Sequence, residues 1–327
     1  MKKFLFSLAL VALTLSFTAC GDDEPVIQDE PVKETVIGKD LINWTIKAAD
    51  NTTNFVETAD YTFNIERTKN EATVSVLAQG VQFDSHMPFE VSFRMEDIKA
   101  SSFDDNFVRF KAESVKFFDP ETGEENAKYK LTNVRGYVDK KNNVYSLDYT
   151  VNGTWRVLVC NSTVSSLVTD NDYSAASELY YTYKIDVANR KAEVFIYNVQ
   201  FTVGGATSPV LKKISIPNLD VEFTTLNYSE LTDVDDIDEN IIDPVIKLTG
   251  DDIVPIYYTG ENLDQATPYP ALMVTNFKSV LNIAIGYHAI YFNAHGGEHY
   301  STSPNSNLYL WNEGPASNPI HWTTVNN

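Results

Sequence analysis

The stretch YTFNIERTKNEATVSV, Tyr61–Val76, recurs at Tyr181–Ile196 as YTYKIDVANRKAEVFI. The gapless match sets Tyr61 on Tyr181, Thr62 on Thr182, Ile65 on Ile185, Ala72 on Ala192 and Val74 on Val194. Self-similarity at a fixed offset is the mark of a repeated structural unit. Inside each copy Ala72, Val74 and Val76, or Ala192, Val194 and Ile196, fall on every second position, the period of a strand with one buried face. The match extends on both sides. Asp50-Asn51 meets Asp170-Asn171, and VQF recurs at Val81–Phe83 and Val199–Phe201. Met87–Ile98 lies on Ser208–Leu219, placing Phe93 on Ile214, Met95 on Ile216 and Ile98 on Leu219.

Turn chemistry separates these runs, at RTKN (67–70), DPETG (119–123), DKKNN (139–143) and ANR (188–190). Short runs rich in Val, Ile, Tyr, Phe and Thr continue toward the C-terminus, and no helical stripe interrupts them. The expected class is all-β: two tandem small barrels or sandwiches, at about 40–160 and 161–327. The second copy carries more chain between Leu219 and Val274 than the first does between Ile98 and Leu131. The excess is assigned to an acidic insertion around 225–250. Its core, SELTDVDDIDENIIDP (229–244), fails the EF-hand template, because counting from Asp233 the required Gly is Asp238 and the required Glu is Pro244. It reads as a solvated acidic loop.

The first residues are of another kind. MKKFLFSLALVALTLSFTAC has two lysines, an apolar run and small residues before Cys20, the order of a secretory leader over 1–19. Phe17-Thr18-Ala19-Cys20 resembles a lipobox, which implies cleavage before Cys20 and its lipidation. GDDEPVIQDEPVKET follows, too acidic and proline-rich to pack, and reads as a flexible tether over about 20–39. The formal net charge of −20 becomes more negative still once Lys2 and Lys3 leave with the leader. Such a chain repels nucleic acid and anionic headgroups. With Cys20 lipidated, Cys160 stands alone, so no intrachain disulfide is expected and stability rests on burial.

The catalytic templates are few. There is no G-x-S-x-G elbow, P-loop or dinucleotide fingerprint, and no cofactor is implied. AHGGEHY, Ala294–Tyr300, holds the order H-x-x-E-H of a class of zinc peptidases. That class needs both histidines on one helix, and Gly296 with Gly297 disfavours a helix by roughly 2 kcal/mol relative to Ala. The repeat supplies a simpler reading, since Leu131–Gly153 aligns on Val274–Gly296 and sets Asn152-Gly153 on His295-Gly296. Asn-Gly between two strands is a strong hairpin signal. AHGGEHY is therefore expected to turn a hairpin, which leaves open a metal held by His295, Glu298 and His299 on a β scaffold, with His288 or His321 near. Among the many aromatics, Trp155, Tyr257, Tyr258, Tyr269, Tyr309, Trp311 and Trp322 stand in less regular surroundings and are candidates for stacking on sugar rings.

Together, the lipobox with its acidic follower and the two copies of YT(F/Y)xI…AxVxV…VQF…P resemble the lipocalin-like (calycin-like) surface lipoproteins of Bacteroidetes. The resemblance covers about Asp40 to the C-terminus. It implies a β-barrel fold and a lipid-anchored place on the outer membrane, facing outward, and names no reaction. The chain departs from true lipocalins in lacking the G-x-W of the first strand, Trp44 being preceded by Ile42-Asn43. The expected role is a non-enzymatic binding module for a glycan, nutrient or partner protein of an outer-membrane uptake system. A structural or adhesive spacer is the alternative, and a hydrolase or hairpin metal protein a further one.

Overall fold

The computed structural model describes residues 30–167, 180–203, 206–227, 242–283, 287–294 and 297–302. The described residues from Pro31 onward form one compact unit. Its first half is a closed antiparallel barrel of eight strands in chain order: β1 (Val32–Lys47), β2 (Thr53–Arg67), β3 (Ala72–Val81), β4 (Val91–Phe103), β5 (Phe107–Phe118), β6 (Glu125–Asp139), β7 (Val144–Val151) and β8 (Trp155–Cys160). Ile42–Lys47 of β1 pairs with Trp155–Cys160 of β8 and shuts the ring. Closure removes the free edges that an open sheet leaves.

The alternation read from the sequence fills this barrel. Tyr61, Phe63 and Ile65 of β2, Val74 and Val76 of β3, Phe93 and Met95 of β4 and Leu147 and Tyr149 of β7 are buried in one cluster. Phe110 lies so close over Gly136 that a methyl group there would come within 1.8 Å of the ring, so the wall needs a glycine at that point. The polar groups inside are paired. The Tyr61 hydroxyl donates to Asn43 Oδ1 (2.6 Å), and the Gln82 amide donates to Glu57 Oε1 (2.8 Å). The barrel interior is lined by this apolar cluster.

The second half is a sheet ordered β20-β19-β18-β15-β14-β11-β10-β9. Its strands are β9 (Thr163–Leu167), β10 (Tyr180–Asp186), β11 (Lys191–Val199), β14 (Leu211–Asn227), β15 (Ile242–Gly250), β18 (Val274–Asn282), β19 (Tyr287–Ala294) and β20 (Gly297–Thr302). Two-residue strands β12 (Thr202–Val203) and β13 (Ala206–Thr207) pair with each other. The hairpin of β16 (Ile256–Thr259) and β17 (Gln265–Pro268) joins the sheet along the start of β14. Among the described residues β9 and β20 do not pair, so this sheet is open where the first is closed.

The repeat is nonetheless structural. Asp97 and Asn218, aligned in sequence, both bulge their strands with positive φ (54° and 62°), and so do Asn133 and Asn276 (52° and 50°). Asp and Asn are among the few side chains that tolerate this conformation. The two copies differ in register by two residues. Val76 faces Met95 in the first, whereas Val194, the counterpart of Val74, faces Ile216 in the second. A slip of two keeps every side chain on its own face.

The open sheet closes its core on the barrel's outer wall. Ile42, Trp44, Ile46, Leu158 and Cys160 point away from the barrel interior and share one cluster with Tyr181, Tyr183, Val194, Ile214 and Ile216. Trp44 meets Phe223 edge-on at 5.3 Å, its Nε1–H donates to Thr53 Oγ1 (3.2 Å), and that hydroxyl donates to the Phe223 carbonyl (2.8 Å). Leu41–Ile46, Tyr145–Val151 and Val157–Cys160 are therefore buried on both faces. On the β7–β8 part of this wall the charges are paired, Arg156 gripping Asp148 with both arms (3.0 and 2.9 Å).

Candidate functional site

The inward faces of both sheets carry the buried apolar clusters, and the outward positions carry the half-buried and exposed side chains. In β10 and β11 the outward residues include Tyr180, Thr182, Phe195 and Tyr197, all half-buried. Tyr180 and Tyr197 are cross-strand partners with parallel rings 4.2 Å apart. Tyr197 is in turn opposite Lys213 of β14. From the β16–β17 hairpin Tyr258 completes the row, its ring 6.1 Å from Phe195. Lys213 sits at the centre, with Nζ 4.2 Å from the Tyr258 ring, 4.9 Å from Phe195 and 5.9 Å from Tyr197. No carboxylate pairs with Lys213 among the described residues, although Glu193 lies on the same face of β11.

Hydroxyls surround the rings. Ser165 and Thr182 Oγ are 3.1 Å apart, and Ser215 Oγ lies 3.4 Å from the Tyr258 hydroxyl. Burial, and then the neighbouring Tyr180, push the Tyr197 hydroxyl above the usual tyrosine range, so it stays a neutral donor and acceptor at neutral pH. Half-exposed ring faces, hydroxyls and one ammonium form a platform of four aromatics on an otherwise polar sheet face.

The first copy serves as an internal control. Tyr180, Phe195, Tyr197 and Lys213 align with Asp60, Ser75, Leu77 and Ser92. The buried counterparts on these strands stay apolar, Tyr61, Val74 and Val76 inside the barrel and Tyr181, Val194 and Ile196 inside the sheet. The inward residues are thus apolar in both copies, whereas the outward aromatics occur in the second alone. The β17 strand has no counterpart in the barrel, and its hairpin brings Tyr258 against Lys213.

Of the aromatics singled out in the sequence, Tyr258 lies in this platform. Tyr257 and Tyr269, with rings 5.9 Å apart, are half-buried against the second core, and Trp155 packs against the barrel core. Tyr309, Trp311 and Trp322 lie outside the described residues, as do Cys20, His295 and most of the acidic stretch 229–244. Tyr180, Phe195, Tyr197 and Lys213 were not foreseen. Their signal was the break of alternation in EVFIY, where Phe195 and Tyr197 stand at positions that the pattern assigns to solvent.

Of the candidate metal residues, Glu298 and His299 are described through their backbone. β19 and β20 pair antiparallel, Ala294 opposite Gly297, as a hairpin at AHGGEHY requires. Glu298 and His299 are backbone partners of Asn293 and Phe292. His288 is buried in the second core, Nδ1 3.0 Å from the Tyr183 hydroxyl, and burial holds its pKa down to about 3. Among the described residues no three His, Cys, Asp or Glu are placed to share a metal. Cys160 is buried and burial pushes its thiol up to about 12, so it stays protonated and unreactive. A further open groove on β4 and β5 is lined by Glu96, Asp97, Lys99, Lys111 and Lys116, in which Lys116 is paired with Glu125 at 2.7 Å.

The eight-stranded closed barrel is compatible with a calycin-like fold. No protein-family model matches the chain, and neither does any curated protein or solved structure.

Proposed function

We propose that this protein is a lipoprotein anchored through Cys20 to the outer membrane, with two tandem calycin-like repeats of which the second presents a glycan to an uptake system. The observation that carries this reading is the outward cluster of Tyr180, Phe195, Tyr197, Tyr258 and Lys213, set against Asp60, Ser75, Leu77 and Ser92 at the aligned positions of the first copy. Aromatic faces take the apolar C–H face of a sugar ring, while hydroxyls at their edge read its substituents. The barrel interior is apolar and the apolar part of its outer wall is covered by the second sheet, unlike a barrel that sits in lipid, which suits a protein held by a lipid chain.

The test is a glycan array probed with the chain from Cys20 onward carrying Cys20→Ser, beside the same chain with Tyr197→Ala and Tyr258→Ala. Binding by the first and its loss in the second is the expected result. Equal binding by both removes the platform as the site. A spacer is the second reading, favoured by the core that the barrel and the open sheet share, because a shared core resists hinging. An array on which neither protein binds leaves that reading standing.

A further inference from the structure

From the place of Lys213 we infer that the platform selects an acidic sugar, a glycan whose carboxylate or sulfate pairs with the Lys213 ammonium while its ring lies on the tyrosines. The inference rests on the glycan reading above and narrows it to a charge class.

Lys213 is half-buried amid three rings, and no acid is paired with it among the described residues. A neutral sugar laid over these rings would strip water from the ammonium and return no charge, which is unfavourable. A carboxylate or sulfate replaces that water with a charge-assisted hydrogen bond, strengthened because the surrounding rings exclude solvent. The wider charge pattern makes the position unusual. The chain carries a formal net charge of −20, and Lys213 is the last basic residue before Lys247. Some described lysines stand beside acids, as Lys39 does with Asp60, Lys140 with Glu34 and Lys191 with Asp220, whereas Lys213 stands beside rings. In the aligned position of the first copy, Ser92 carries no charge. Both the rings and the cation are thus additions of the second copy, and they coincide.

By register the charged residues of this face next to the rings are Lys184 and Glu193, opposite each other across β10 and β11, and farther along stand Asp186, Lys191 and Asp220. Lys184 and Glu193 are of opposite sign, which leaves Lys213 as the cation among the rings. The acidic chain as a whole repels polyanions at long range, so recognition here is short-ranged and needs the ring contacts to hold the ligand.

Oligogalacturonate and its methyl ester share a ring and a backbone and differ in the carboxylate charge and one methyl cap, so they separate the two ideas. Chondroitin keeps its uronate without sulfate, so chondroitin sulfate beside it tests whether sulfate adds to the carboxylate. The probe protein is the chain from Cys20 onward with Cys20→Ser, compared with Lys213→Met, Lys213→Arg and the Tyr197→Ala, Tyr258→Ala pair, each checked for unchanged thermal unfolding. Expected is an acidic ligand bound at least about tenfold more tightly than its neutral partner, a preference lost in Lys213→Met and retained in Lys213→Arg. Raising the salt from about 0.15 to 0.5 M should weaken the acidic ligand alone. Equal affinity for charged and neutral forms, abolished by the tyrosine pair, overturns the acidic-sugar inference and leaves the glycan platform in place. A preference for acid that survives in Lys213→Met overturns the role of Lys213. If neither form binds, both ideas fall together.

Discussion

His288→Phe tests how far the second core depends on a neutral histidine. In the native protein the ring is fully buried, edge-on to Tyr181 (5.2 Å) and inclined to Tyr183 (5.5 Å), with Nε2 lacking a partner among the described residues. Burial lowers its pKa from the usual 6.5 to about 3. The depressed value means that the unfolded chain takes up a proton first. Stability is therefore at its full level above pH 6.5 and falls as the pH drops toward 3, where the loss is complete. At about 1.36 kcal/mol per unit, the stretch from pH 6.5 to 4 removes roughly 3 kcal/mol, and the whole span about 5 kcal/mol. That is a large part of the 5–15 kcal/mol by which domains are ordinarily stable.

Phenylalanine keeps the ring and removes the titration. At pH 7.5 the variant loses the bond to Tyr183 and sheds an unpaired buried nitrogen, two effects of about 1 kcal/mol each and opposite sign. Urea unfolding followed by tryptophan fluorescence at pH 7.5, 5.5 and 4 should show nearly equal stabilities at the first pH. At the last, the variant should be more stable by roughly 3 kcal/mol. Carboxylates held low by their partners, such as Glu34 beside Lys140 or Asp60 bonded by the Asp40 amide, weaken both proteins alike on acidification and cancel in the comparison. Parallel pH profiles for the two proteins would falsify the argument.

Two further outcomes follow from the shared core and its thiol. Trp44→Ala removes the ring that joins the barrel wall to Phe223 and should destabilise the chain by about 3–5 kcal/mol, with barrel and sheet melting in a single transition. Calorimetry that resolves two independent transitions in the native protein would contradict the shared core. Cys160, in the Cys20→Ser chain, should resist a soluble disulfide reagent in native buffer and react at once in denaturant. Rapid stoichiometric labelling of the native protein would show that the wall between the sheets is open.

Much of the fold was legible in the chain because strand chemistry is local. Ala72, Val74 and Val76, with Ala192, Val194 and Ile196, were marked as one-sided by their spacing, and all six are buried. Asn152-Gly153 was marked as a turn, and both residues have positive φ (53° and 67°). Other features were not legible. Nothing in a five-residue strand such as Thr163–Leu167 says whether it will close a ring, since closure depends on shear and tilt summed over every strand. His288 was one of two further histidines offered beside His295, Glu298 and His299, and spacing along the chain could not say where its ring would lie. It is opposite Leu281 in the sheet, buried beside Tyr183. The acidic excess of the second copy was assigned to 225–250, yet Ile242–Gly250 is a regular strand of the repeat, and part of the extra chain is the hairpin that carries Tyr258.

The sequence by itself determined the strand class, the repeat, the inward face of each strand and the main turns. These depend on a period of two and on backbone conformations that few residues accept. Only the tertiary structure decided that one copy closes while the other lies open over its wall, and that Lys213 and Tyr258, far apart along the chain, meet Phe195 and Tyr197. Contacts between strands distant in sequence are set by register and packing across the whole sheet, and no local pattern encodes them.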